Sequence, residues 1–299
     1  MRFGKWTGCT AVGLGLLSWC AVVAQESASK PVAGLVSELS GEASIVLTPG
    51  GKSVRAQRFD TIAVGAIFAT GPKSHAVIVL AGGQRFELGA NARATITVTQ
   101  LASRSGPVKE LPSFPPLPKL VALDDSRPAG APGGVRLRDT SIGGLRPSHF
   151  VTLAERTVIR FDPVGGASRY AIEIENEAGK RVFTTESTSQ EVVVPPGVLE
   201  PQRMYYWSVQ TLDKVGATAR GTSGFRTLSA ENAQLRRTLR QSVESEGDAN
   251  ALAFVAEVDR RLGLYEEALD EFRAVLARTP DDAAIQAAVG WLEKRGGTK

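Results

Sequence analysis

The pattern of apolar and polar positions divides the chain into stretches of different period. Between residues 31 and 100 the apolar residues come in short runs separated by turn formers. The run "ASIVL" (43–47) stops at Pro49, Gly50 and Gly51, and "HAVIVLAGGQRFELG" (75–89) holds two apolar runs around Gly82 and Gly83. Two residues able to take positive φ between such runs predict a β-hairpin. Its buried face is expected to hold Val77, Val79, Phe86 and Leu88, with Gln84, Arg85 and Glu87 at the turn or outside. From about 148 a strand period returns. In "RYAIEIENEAGKRVF", Tyr170, Ile172 and Ile174 alternate with Ala171, Glu173 and Glu175, as in a half-buried strand. Beyond 229 the period lengthens: Leu235, Leu239 and Val243 stand four apart and share one helix face. Gly247 and Asp248 end that helix and restart the next.

Between the two β-patterned stretches, residues 101–147 carry half of the sixteen prolines, including "LPSFPPLPKL". Such spacing favours extended polyproline II and a semi-rigid spacer. "PPLP" also fits an aromatic groove, and Leu111, Phe114 and Leu117 are able to pack back onto a neighbouring sheet. The expected organisation is multidomain, mainly β with an α-helical C-terminus. It comprises a leader (1–24), a small β-domain (31–100), a Pro/Gly-rich linker (101–147), a β-sandwich (148–228) and a helical region (229–299).

Each patterned stretch resembles a known module. "GLVSELSGEASIV" and "FDTIAVGAIFATGPKSHAVIVLAGGQRFELGANARATI" resemble the FecR-like domain, with Gly41, Gly65, Thr70, Gly71, Ser74, Gly83 and Asn91 on matching positions. The resemblance covers about seventy residues and implies a small all-β module. Where that family has Asp-Gly in the hairpin, this chain has Gly82 and Gly83. The sigma-factor-binding tail and membrane helix of the best-known relatives have no counterpart in the sequence, so transcriptional signalling is not carried over.

"FDPVGGASRYAIEI", with Leu199, Tyr205, Trp207, Val209 and Phe225, resembles a fibronectin type III sandwich. That resemblance assigns Tyr205 the corner hydroxyl that bonds back to local backbone. The last stretch resembles a tetratricopeptide repeat over 249–282. Leu252, Ala256, Gly263, Tyr265, Ala268, Phe272 and Pro280 stand on repeat positions, and Asp259 and Val275 depart from them. Fewer than two repeats rarely bury their own faces, so the helices are expected to pack on one another, on the sandwich or on a partner. In repeat geometry the groove positions are Asn250, Ala253, Glu257 and Arg260, continuing to Trp291 and Lys294. The resemblance thus implies Asn250, Glu257, Arg260, Trp291 and Lys294 as partner-binding residues. The other reading of Trp291 is a cap on the bundle core.

The amino terminus adds a compartment. Arg2 and Lys5 precede an apolar run from residue 11, and Val22, Val23 and Ala24 suit a cut before Gln25. The expectation is a cleaved signal peptide and a periplasmic protein without a transmembrane segment. "LSWC" ending at Cys20 places the bulky Trp19 where lipoprotein boxes want a small residue, so lipidation is not expected. Both cysteines, Cys9 and Cys20, fall in this leader, which leaves the mature chain no disulfide or thiol chemistry. The formal net charge of +4 falls to about +2 with the leader removed, too little to make nucleic acid a default partner.

Candidate chemistry is sparse. Ser74 and His75 adjoin, yet no acid is placed by any motif to orient an imidazole, and His75 and His149 have no metal-ligand spacing. Glu173 and Glu175 project from one strand face, but no cleft is implied around them. No phosphate loop or nucleophile elbow appears. No catalytic, metal or cofactor-binding residues are expected, and no cofactor. The function the resemblances imply is a non-catalytic periplasmic adaptor or scaffold of the FecR-domain type, which binds another envelope or inner-membrane protein in envelope signalling or assembly. The alternative is a module that binds cell-wall glycan or another polysaccharide.

Overall fold

The computed structural model describes residues 31–47, 50–117, 142–148, 150–213, 218–244 and 247–295. The leader with Cys9 and Cys20, His149 and positions 118–141 of the join lie outside the described residues. The chain is mostly β-sheet, followed by four helices.

The first ten strands form two five-stranded sheets around one core. In chain order they are β1 (Val32–Ser40), β2 (Ala43–Val46), β3 (Ser53–Arg55), β4 (Thr61–Ala63), β5 (Ile67–Thr70), β6 (His75–Leu80), β7 (Arg85–Leu88), β8 (Arg93–Ile96), β9 (Leu101–Ser105) and β10 (Val108–Leu111). One sheet has the order β10-β7-β6-β1-β4 and the other β3-β2-β5-β8-β9. Val36, Ile62, Ile78, Leu80, Phe86 and Leu88 from the first meet Ile45, Phe68, Ala94 and Ile96 from the second.

Strands β9 and β10 fall inside the stretch expected to be linker. Leu101 turns into the core and β10 pairs antiparallel with β7, so the proline-rich character begins only at Pro112 as far as the sheets are concerned. The β6–β7 hairpin forms, but its faces differ from expectation. Ile78 pairs with Phe86 and Ala76 with Leu88, so these four point inward together. Val77 and Val79 take the opposite face with Arg85 and Glu87. That second face is also largely buried, because other parts of the chain cover it. An unbroken apolar run holds no period from which to choose a face.

The second β-region contains β11 (Val151–Thr152), β12 (Val158–Arg160), β13 (Tyr170–Asn176), β14 (Arg181–Ser187), β15 (Glu191–Val193), β16 (Met204–Thr211) and β17 (Arg220–Thr227). The main sheet runs β11-β17-β16-β13-β14, and β12 pairs with β15. Tyr170, Ile172 and Ile174 alternate into its core beside Leu199, Tyr205, Trp207, Val209 and Phe225. Tyr205 Oη accepts the Glu200 N–H at 2.8 Å, and Trp207 Nε1 donates to the Pro147 carbonyl at 3.0 Å. Each polar end of a buried aromatic is therefore satisfied.

The helices are α1 (Ala230–Glu244), α2 (Ala249–Leu262), α3 (Tyr265–Leu276) and α4 (Ala283–Arg295). Asp248 caps α2 by accepting the Asn250 N–H at 3.1 Å, and Gly263 ends it with φ of 82°. Helix α2 is buried almost all round, because it lies against α1, α3 and the first β-region together. Phe254 stacks on Phe114 with centroids 5.2 Å apart, and Arg85 covers the other face of Phe114 at 4.1 Å. Leu35 and Val79 of β1 and β6 join this cluster with Val255, Val258 and Leu262 of α2.

The proline-rich residues 112–117 are laid over the β6–β7 turn. Phe114 donates to the Gly83 carbonyl at 2.9 Å and Leu117 to the Ala81 carbonyl at 2.6 Å. A Cβ on Gly83, whose φ is 89°, would come within 2.1 Å of the Phe114 oxygen, so this crossing requires glycine.

Candidate functional site

The partner-binding positions implied by the repeat resemblance lie on α2 and α4, and the chain itself occupies much of the groove between them. The occupant is the loop before β4. Phe59, with φ of 70°, sets its ring edge-on to Phe272 of α3 at 5.8 Å. Arg58 reaches alongside with a side chain only 7% exposed. It donates to the Ser37 carbonyl at 2.8 Å, to Asn250 Oδ1 at 3.1 Å and to Asp282 Oδ2 at 2.5 Å. The other carboxylate oxygen of Asp282, Oδ1, accepts the N–H groups of Ala284 and Ile285 at 3.0 and 3.1 Å and so caps α4. Asn250 is therefore engaged within the chain.

Glu257 is 1% exposed. Its carboxylate accepts from Arg260 at 2.7 and 2.8 Å and from Arg261 at 2.6 Å, and Arg261 also donates to the Phe59 carbonyl at 2.9 Å. It holds two arginines in place and is out of reach of a partner. Ala253 packs in the α2–α3–α4 core.

What stays at the surface is the far end of this row. Trp291 is half-buried on the α3–α4 core, with Tyr265 edge-on at 5.5 Å. The Arg260 guanidinium lies 5.1 Å from the Trp291 ring and that of Arg295 4.4 Å. Arg295 also donates to Tyr265 Oη at 3.0 Å, and Lys294 beside it is exposed. The result is a rigid aromatic surface ringed by cations. Trp291 thus makes a core contact on one side and keeps part of its ring at the surface.

Two features of the site were not legible in the sequence. Nothing in "RFD" at 58–60 marks Arg58 and Phe59 as the plug, since both lie some two hundred residues away in sequence. Asp259, which departs from the repeat pattern, is fully buried and accepts Arg236 of α1 through both carboxylate oxygens at 2.8 Å. The departure from the repeat pattern thus supplies the acid that pairs with α1.

Elsewhere, Ser74 is buried and structural, accepting the Glu42 N–H at 2.8 Å and donating to the Pro72 carbonyl at 3.2 Å. His75 pairs across strands with Glu87 at 3.3 Å, so the adjacent serine and histidine serve different parts of the sheet. Glu173 pairs with Arg181 at 3.2 Å on the outer face of the sandwich. Among the described residues no cluster of histidine, cysteine or acid side chains has the geometry of a metal site. No described helix is long and apolar enough to cross a membrane. No protein-family model matches the chain, and no curated protein matches it.

Proposed function

We propose that this chain is a non-catalytic periplasmic adaptor, built from a FecR-like β-domain, a fibronectin type III-like sandwich and tetratricopeptide-like helices. It is exported by a signal peptide cut after Ala24. The observation that carries the reading is the surface around Trp291. A held aromatic edge flanked by Arg260, Lys294 and Arg295 matches the composition of protein-binding hot spots. Its cations select an acidic partner segment of another envelope or inner-membrane protein.

The Tyr205 hydrogen bond to local backbone supports the fibronectin type III resemblance, and the Gly263 turn between α2 and α3 supports the tetratricopeptide one. Polysaccharide binding by the β-regions has a weaker support: Tyr206, 37% exposed on the outer sandwich face, is a single ring where a platform is needed.

Cross-linking in intact cells with a tagged chain tests the adaptor. One envelope protein is expected to cross-link to the wild type and to be lost with Lys294→Glu, which is exposed and leaves the fold intact, as well as with Trp291→Ala. Capture that survives both substitutions removes the helical surface from the proposal. Sedimentation with purified cell wall, insensitive to both, moves the function to the β-regions.

A further inference from the structure

A second feature stands apart from the Trp291 surface. The sandwich and the helices do not close on each other along their whole length. Between them lies a cleft of about 210 Å³, room for several water molecules. One wall is the sandwich, with Thr152, Arg156, Thr157 and Arg160. The other is helical, with Arg236 and Arg240 of α1 and Glu266, Glu267, Asp270 and Glu271 of α3. The acids recur at spacings of one and four along α3, so they share one face toward the cleft.

Part of this charge is matched internally. Arg160 pairs with Glu266 at 3.1 Å and with Glu191 at 3.1 Å, and Arg236 pairs with Asp259 at 2.7 Å and with Glu271 at 3.4 Å. Arg240 also meets Glu271. The remainder is unmatched and of both signs. Arg240 Nε, Glu266 Oε1 and Glu271 Oε2 are shielded from the surrounding solvent without a hydrogen-bond partner among the described residues. Arg156 has no ion pair or side-chain hydrogen bond among the described residues, and Glu267 accepts only from its own backbone N–H. Arg156 is exposed at the mouth of the cleft and Glu267 half-buried, but leaving the three buried atoms unpaired is costly.

The chemistry narrows what satisfies them. A lone anion would engage the arginines and leave the carboxylates of α3 unmatched. A lone cation would engage those carboxylates but face four guanidinium groups. A molecule carrying both charges a few bonds apart satisfies both walls at once. We propose that this cleft binds a small zwitterion with an α-ammonium and a carboxylate, a free α-amino acid or a short peptide. Arg156 and Arg240 would take the carboxylate, and Glu266 and Glu267 the ammonium.

Burial pushes the Glu267 carboxyl up to about 7, with Asp259 and Glu266 adding to it and Arg236 only partly opposing it. Phe150, stacked edge-on to Tyr265 at 5.1 Å, forms the apolar end of the cleft, where a small side chain fits.

Titration calorimetry on the full chain tests this with four probes: L-alanine, L-alanyl-L-alanine, N-acetyl-L-alanine and L-alaninamide. At least one of the two zwitterions is expected to bind saturably, and which one binds tells a free amino acid from a peptide. The acetylated and amidated forms, each lacking one charge, are expected to bind at least about tenfold more weakly. Glu267→Gln and Arg156→Gln are each expected to weaken the zwitterion by at least about tenfold, with circular dichroism showing both variants folded. The proposal is overturned if none of the probes gives a saturable signal, which makes the cleft a water-filled seam only. It is equally overturned if the single-charge probes bind as well as the zwitterion, or if both variants bind unchanged.

Discussion

The helices meet the two β-regions in opposite ways. Against the first β-region the seam is mainly apolar: Leu35, Val79 and Phe114 lie on Phe254, Val255 and Val258, with Arg85 over the Phe114 ring, and the Arg58–Asp282 ion pair closes one side. Against the sandwich, Val151, Leu153 and Leu228 make an apolar contact at one end, and the rest is the charged cleft. An apolar seam gains from excluding water and has no reason to open. A charged seam loses hydration on closing and regains it only where every group is paired. The first β-region thus meets α2 mainly through apolar burial, whereas the sandwich meets the helices largely through charged groups whose pairing decides the balance.

Substitutions at the two seams separate these roles. The largest effect is expected from Phe254→Ala, which removes a buried ring from the apolar seam and costs about 4 kcal/mol of stability. Thermal unfolding is expected to remain a single transition at a lower midpoint; two transitions would show that the first β-region holds itself together without α2. Next comes Arg236→Leu, which strands the fully buried Asp259. Burial already holds the Asp259 carboxyl above its usual range despite the bidentate arginine. The cost is expected to be about 3 kcal/mol at neutral pH, with much of it recovered in the double variant Arg236→Leu, Asp259→Leu. Denaturant melts of the three proteins measure it.

A smaller effect, but one that depends on pH, is expected at Glu267. Its carboxyl is raised from 4.5 to about 7 in the fold, so the folded chain holds the proton more tightly than the unfolded one. The contribution to stability is full below about pH 4.5, is lost as pH rises through about 7, and is flat above. Glu267→Gln keeps the neutral form at every pH. It is expected to be more stable than wild type by about 2 kcal/mol at pH 8, the full shift of about 3 kcal/mol being reduced by the partial exposure of the group, and equal to it near pH 4. Subtracting the two stability curves isolates this group from Glu266 and Asp259, which shift in the same direction. A constant difference across that range would place Glu267 in water. The smallest effect is expected from Arg160→Ala at the partly exposed rim of the cleft. It should cost less than about 1 kcal/mol and vanish in high salt.

Much of this architecture was legible where a period was present. The alternation at 170–174 placed the strand and its inward face, and the four-residue spacing of Leu235, Leu239 and Val243 placed one face of α1. Asp248 and Gly263 marked both ends of α2 because caps are local chemistry. Where the apolar run was continuous, as in "HAVIVL", a strand was legible but its inward face was not. Proline content was averaged over too long a window and hid β9 and β10. Of the five residues implied for partner binding, Trp291, Arg260 and Lys294 converge at the surface, whereas Asn250 and Glu257 are engaged within the chain.

What the sequence alone determined is therefore what depends on neighbours in the chain. That covers the succession of β-rich stretches and terminal helices, the turns at glycine, and the amphipathic faces. Tertiary structure decided everything that depends on distant residues meeting. It seated Arg58 and Phe59 in the helical groove, paired Arg236 with Asp259, and left charges of both signs facing each other across the sandwich cleft. Local propensity is written within a few residues of each position. Charge pairing and groove occupancy arise between segments up to some two hundred residues apart, and only the packed chain brings those segments within reach.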